Sequence, residues 1–129
     1  MVILFDMFNL PQNVFEVIFA TSQQQIVAGL LVRELKRNSN QMNKHQMSEF
    51  ATRLHEGKVQ AVIEGQKIPL SYNKRQFYDR ILTPMKSMGL IEYDLYRKTY
   101  KLSPNFSDAL KEISQIWLTE LNTQLKNPP

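Results

Sequence analysis

The sequence predicts a mainly α-helical domain that carries a small β-hairpin, an α+β fold, and ends in a long helix. Three observations predict it. Apolar residues return at helical spacing in four segments, 22–38, 44–56, 73–88 and 105–125. Three of these segments open on a Ser or Asn with a Gln three residues on (Ser22/Gln25, Asn43/Gln46, Asn73/Gln76), a pair that satisfies the orphan backbone donors of a first helical turn. Elsewhere the apolar period is two, at Val59, Ala61 and Ile63, at Ile91, Tyr93 and Leu95, and at Tyr100 and Leu102, which is the signature of strands.

A chain of 129 residues suffices for one domain with a real core and is short for two. Hydrophobic residues make up 43% and charged residues 22%, an ordinary globular balance. No run approaches the roughly 18 apolar residues of a membrane span, so no membrane partner is expected. The opening MVILFDMF is apolar but lacks a basic leader and is interrupted by Asp6, which makes a poor signal peptide. Cysteine is absent, which excludes disulfides, thiolate metal sites and a Cys nucleophile, and fits a cytoplasmic location.

The elements follow in order. Residues 1–21 form an N-terminal extension expected to pack on the core or on a dimer partner. The run 1–8 reads equally as strand or helix, and Pro11 suits the first turn of a short helix. The helix 22–38 buries Ile26, Leu30, Leu31 and Leu35, with Ser22 as its cap and Arg33, Lys36 and Arg37 off the buried stripe or near its end. Residues 38–43 read as a polar loop. The helix 44–56 presents Met47, Phe50, Ala51 and Leu54 and stops at Gly57. The alternation either side of Glu64-Gly65 reads as a hairpin, a long ordered loop or a helical extension through Ile63.

The third helix begins near Asn73. Phe77, Ile81, Leu82, Met85 and Met88 share one face, and Arg75, Gln76, Asp79, Arg80, Thr83 and Lys86 the other. Pro84 is expected to kink it, because it removes a backbone donor. Gly89 ends the helix, and a two-stranded ribbon follows around a turn at residues 96–98. The final helix, 105–125, carries Phe106, Leu110, Ile113, Trp117, Leu121 and Leu125 in one stripe.

Charge is unevenly spread along this plan. The chain is +4 overall, whereas residues 67–101 hold eight basic residues against three acidic ones, a net +5. A concentrated basic segment is the footprint of a phosphate-binding surface or a solvated basic face.

The run RILTPMKSMGLIEYD followed by YKLS, at the end of the order helix, helix, basic helix, GLI, hairpin, long helix, resembles the winged-helix (winged helix-turn-helix) family of DNA-binding proteins. The resemblance covers residues 22–103. The added segment 104–126 is similar to the C-terminal dimerisation helix of the small dimeric type. Two features depart from the family pattern: the long connection between Gly57 and Asn73, and Pro84 within the third helix.

The resemblance implies binding of double-stranded DNA by a homodimer and a role as a small transcriptional regulator. It places Asn73, Lys74, Arg75, Gln76, Tyr78, Arg80, Thr83 and Lys86 of the third helix, with Asp79 among them, at the groove and the flanking phosphates. Arg97 and Lys98, at the tip of the wing, would reach the neighbouring minor groove. Phe106, Leu110, Ile113, Trp117, Leu121 and Leu125 would form the dimer interface. The alternative is a winged-helix protein-interaction module in a transcription, replication or plasmid-partition complex, and a third reading is a small effector-sensing domain. Plainer roles stand beside these. Arg75 or Arg80 can pair with Asp79, the ribbon tyrosines can be packing, and the last helix can fold back over its own domain. His45 and His55 lack clustered acidic or thiol partners at metal spacing. No Gly-rich phosphate loop, nucleophile elbow or HExxH run occurs, so neither an enzyme nor a cofactor is expected.

Overall fold

The computed structural model describes residues 6–125. The apolar run 2–5, residue 126 of the C-terminal segment and the tail 127–129 lie outside them. Along the described residues the order is α1 (Val14–Ile18), α2 (Ser22–Arg37), β1 (Gln41–Asn43), α3 (Lys44–His55), β2 (Val59–Ile63) and β3 (Gln66–Leu70). There follow a helix α4 in three successive pieces (Lys74–Phe77, Tyr78–Leu82, Thr83–Ser87), then β4 (Ile91–Asp94), β5 (Thr99–Leu102) and α5 (Asn105–Asn122). The chain is thus helices combined with small antiparallel sheets, as the sequence leads one to expect: β1, β5 and β4 form one in that order, and β2 and β3 form a separate hairpin.

The first helices differ in detail from expectation. Asn13 caps α1, its side chain accepting the N–H groups of Phe15 and Glu16, so Pro11 lies ahead of the helix rather than in its first turn. The cap of α2 is Thr21, not Ser22: Thr21 Oγ1 accepts the Gln24 N–H at 3.2 Å, and the Gln25 amide donates instead to the Phe19 carbonyl at 3.0 Å. Either hydroxyl has the right chemistry, but Thr21 has the extended backbone that a cap requires. Ile18 and Phe19 are buried, which ties this part of the N-terminal extension to the core.

The expected loop 38–43 contains a strand. Left-handed backbone at Ser39 and Asn40 turns the chain out of α2. Residues 41–43 then pair with β5, Met42 opposite Tyr100. With only Met42 facing inward, three residues are too few to display an alternation. The capping box on α3 forms as expected, Asn43 and Gln46 exchanging two hydrogen bonds of 2.8 Å. The hairpin β2–β3 also forms, in register Ile63 opposite Gln66. Its turn is Glu64-Gly65, both with positive φ (53° and 78°), the combination a tight two-residue hairpin turn needs.

Pro84 does not break α4. The helix widens over Tyr78–Leu82 into a π turn, in which the Thr83 N–H reaches back five residues to the Tyr78 carbonyl, and Pro84 falls at the start of the next α-helical piece. A proline there lacks a donor that the first helical turn leaves unpaired anyway. Ile81 and Leu82 within this turn are both buried.

One core joins these elements. Leu31 and Leu35 of α2, Phe50 and Leu54 of α3, Phe77 and Ile81 of α4, Met42 and Ile91 of the sheet are all essentially inaccessible, and Phe50 meets Phe77 edge-on at 5.7 Å. Gly89 is where α5 is rooted. Its φ is +85°, the Phe106 N–H donates to its carbonyl at 3.1 Å, and a β-carbon there would sit 3.1 Å from Asn105 Cβ.

Candidate functional site

The polar side of α4 forms because the apolar side is anchored. With Phe77, Ile81 and Met85 in the core, Arg75, Gln76, Asp79, Arg80 and Thr83 are left exposed together. Arg75 Nε lies 3.8 Å from Asp79 Oδ2, an exposed pair one helical turn apart. Such pairs contribute only about 0.3–0.5 kcal/mol, so a stronger anion displaces the carboxylate at little cost. Arg80 forms no ion pair among the described residues.

The N-terminus of α4 is closed by protein groups. Asn73 Oδ1 accepts the Gln76 N–H at 3.1 Å, and His55 Nδ1 accepts the Lys74 N–H at 3.0 Å. Lys74 itself is turned inward, its ammonium donating to Ser48 Oγ at 3.2 Å and Thr52 Oγ1 at 3.0 Å. Tyr78 lies beside Phe77 and is half-buried; burial pushes its phenol upward, and a hydrogen bond with Ser48 opposes that. Lys74 and Tyr78 therefore hold α4 against α3 and Asn73 caps it, while Arg75, Gln76, Arg80 and Thr83 make the outward face. Ser48, Thr52 and His55, which do the holding on the α3 side, carried no signal in the sequence, because they lie 19 to 26 positions from Lys74.

Lys86 is set apart from this face. Its ammonium sits 5.6 Å from the Tyr93 ring centre and 5.9 Å from that of Tyr100, and the two rings lie 4.5 Å apart. A cation over aromatic faces is attracted by their quadrupoles, so Lys86 joins α4 to the β4–β5 hairpin. The Tyr100 phenol is pushed up, first by burial and then by the neighbouring tyrosines.

At the tip of the β4–β5 hairpin, Asp94 Oδ1 accepts the N–H groups of Tyr96 at 2.9 Å and Arg97 at 3.1 Å. These bonds, led by the one from Arg97, hold its carboxyl below the ordinary range. Arg97 Nε lies 4.0 Å from Asp94 Oδ2. Lys98 has φ of +50°, and its carbonyl accepts the Lys44 N–H at 3.0 Å, which fastens the tip to the start of α3. Arg97 and Lys98 are exposed, and so are Leu95 (77%) and Tyr96 (99%).

No residue of α5 is buried, so the helix does not fold back over the described core. Phe106, at its root, packs partly against that core. Leu110, Ile113, Trp117 and Leu121, and Leu125 just past its end, are all exposed, Trp117 at 60%. Eighteen residues make a rod of about 27 Å with an uncovered apolar stripe.

Among the described residues no group of three or more His, Asp or Glu side chains is placed to hold a metal ion, and no helix is long and apolar enough to cross a membrane. Comparison with protein-family models, with curated proteins and with solved structures finds no match for this chain.

Proposed function

We propose that this protein is a winged-helix module that binds duplex DNA as a homodimer, acting as a small transcriptional regulator. The observation that carries the proposal is the face of α4. Arg75, Gln76, Arg80 and Thr83 stand exposed on a helix whose other side is locked in the core, and a hairpin with Arg97 and Lys98 at its tip follows directly. The connectivity α2, β1, α3, α4, β4, β5 supports the winged-helix reading, with the β2–β3 hairpin filling the long connection between its second and third helices.

A major groove about 12 Å wide accepts one helix, and Arg and Gln are the side chains that hold guanine and adenine edges bidentately. Lys86, Lys74 and Tyr78 act in this reading by positioning α4 rather than by touching bases. The uncovered stripe on α5 supports pairing of two copies about a twofold axis, which would present two α4 helices to half-sites about 10 bp apart or a multiple of that.

Selection of bound fragments from random duplex DNA tests the proposal. Enrichment of a palindromic site with that spacing is expected, and recovery of no enriched sequence would overturn it.

One observation favours a second reading, that of a protein-interaction module. Leu95 and Tyr96 put an exposed apolar pair at the very tip of the hairpin, which suits a protein surface better than phosphates. Leu95→Ser with Tyr96→Ser separates the two: duplex affinity is unaffected if these residues serve a protein partner.

A further inference from the structure

The β2–β3 hairpin closes a cleft against α2 and α3 that the α4 face does not share. The cleft has a volume of about 300 Å³, and none of its lining residues belongs to α4. That size is at the lower end for small-ligand pockets. Five cations border it, Arg33 and Arg37 from α2, Arg53 from α3, and Lys58 and Lys67 from the hairpin and its approach, with Glu34 between them.

The cations are held in place and only partly neutralised. Glu34, only 18% exposed at its side chain, takes Arg53 Nη2 at 3.1 Å and Arg37 Nη1 at 3.7 Å, so one carboxylate orients two guanidinium groups. Arg33 Nη2 donates to the Gln60 carbonyl at 3.2 Å, which fixes it against the hairpin. Lys58 pairs with Glu56 at 2.8 Å. Neither Arg33 nor Lys67 forms an ion pair among the described residues. Each guanidinium has five donors in a rigid fork, and those engaged here leave most of them available. At its base Phe50 is buried beneath the Arg53 guanidinium, 5.8 Å from its ring centre, and the exposed Val62 stands at the side.

From this arrangement we infer that the cleft binds a small phosphorylated ligand of nucleotide size, its phosphates held by Arg33, Arg37 and Lys67 and its body resting against the exposed Val62. Five cations against the carboxylates of Glu34 and Glu56 leave a positive excess in one concavity, which attracts a multiply charged anion, and planar forks match phosphate oxygens. The cleft is a concavity of about 300 Å³ that takes no residue from α4, so a small ligand fits it better than a duplex backbone does. This site is independent of the DNA-binding proposal.

Titration calorimetry on the full chain at physiological salt tests it, with ATP in the absence of divalent metal, inorganic pyrophosphate and a duplex of arbitrary sequence as the three probes. The expected result is saturable binding of ATP, weaker binding of pyrophosphate, and at least a tenfold loss of both in Arg37→Glu/Lys67→Glu, two exposed positions outside the core. Arg75→Ala/Arg80→Ala should leave both unchanged. If the charge reversal prevents folding, Arg37→Gln/Lys67→Gln must give the same loss. No binding of ATP at millimolar concentration would overturn the inference. So would an equal loss in the α4 variant, which would mean attraction to net charge alone, or a loss confined to the duplex probe, which would make the cleft part of a nucleic-acid track.

Discussion

Replacing Trp117 with Ala should convert the proposed dimer to a monomer at micromolar concentration. Trp117 is 60% exposed in the single chain. A tryptophan side chain offers about 150–250 Å², so on the order of 100–150 Å² of it remains open to water. At about 25 cal/mol per Å², complete covering of that surface contributes about 3 kcal/mol per protomer. A twofold interface contains the residue twice, which doubles the figure. Association converts buried area inefficiently, and with half the surface covered the loss is about 3 kcal/mol per dimer, roughly a hundredfold in dissociation constant. Light scattering behind size-exclusion chromatography, or sedimentation equilibrium across a concentration series, measures it. Leu95→Ala, which removes an even more exposed apolar side chain on the β4–β5 hairpin, is the control and should leave the mass unchanged. A wild-type protein that is monomeric throughout the series refutes the reasoning. A Trp117→Ala dimer as tight as the wild type also refutes it, because the stripe would then not be the contact.

Further outcomes follow from local geometry. Gly89→Ala should destabilise the fold by about 1–3 kcal/mol, read as a lowered Tm, because it combines a left-handed backbone with a contact of 3.1 Å to Asn105. Pro84→Ala should change stability by less than about 1 kcal/mol, since the π turn has already removed the need for its N–H; a gain near 3 kcal/mol would mean that the proline interrupts a regular helix. Asp94 should titrate below the ordinary aspartate value of 3.8, as followed by NMR of its carboxyl carbon. Its contribution to the hairpin turn is therefore present above that value and lost as pH falls through the lower folded-state value. Asp94→Ala should accordingly speed amide exchange at Tyr96 and Arg97 even at neutral pH.

Much of the fold was legible where a local rule acts alone. The Asn43/Gln46 box, the Asn73 cap, the Glu64-Gly65 turn and the alternation in β2, β4 and β5 each depend on residues within a few positions of one another. The differences arise where a distant or subtle term decides. The strand at 41–43 exists because β5 lies beside it, a partner more than fifty positions on. Thr21 rather than Ser22 caps α2 through backbone angles that two adjacent hydroxyls do not reveal. A regular helix would be kinked at Pro84, whereas the one residue inserted by the π turn absorbs it.

The outward face of α4 was readable as a polar stripe. That Lys74 turns back to Ser48 and Thr52, and that Lys86 sits over Tyr93 and Tyr100, depends on packing between elements, which spacing does not encode. The cleft bordered by Arg33, Arg53 and Lys67 had no signature at all, because its cations are spread over three elements and assembled only by the hairpin.

The central claim is that α4 and the hairpin tip engage duplex DNA, and its most direct test is the salt dependence of affinity for a selected duplex. Neutralising about six phosphates predicts a log–log slope near −5. Arg75→Ala with Arg80→Ala should weaken binding by about 2–6 kcal/mol, about thirtyfold or more, without shifting Tm. A slope near zero, or a double variant that binds as tightly as the wild type, would contradict the account.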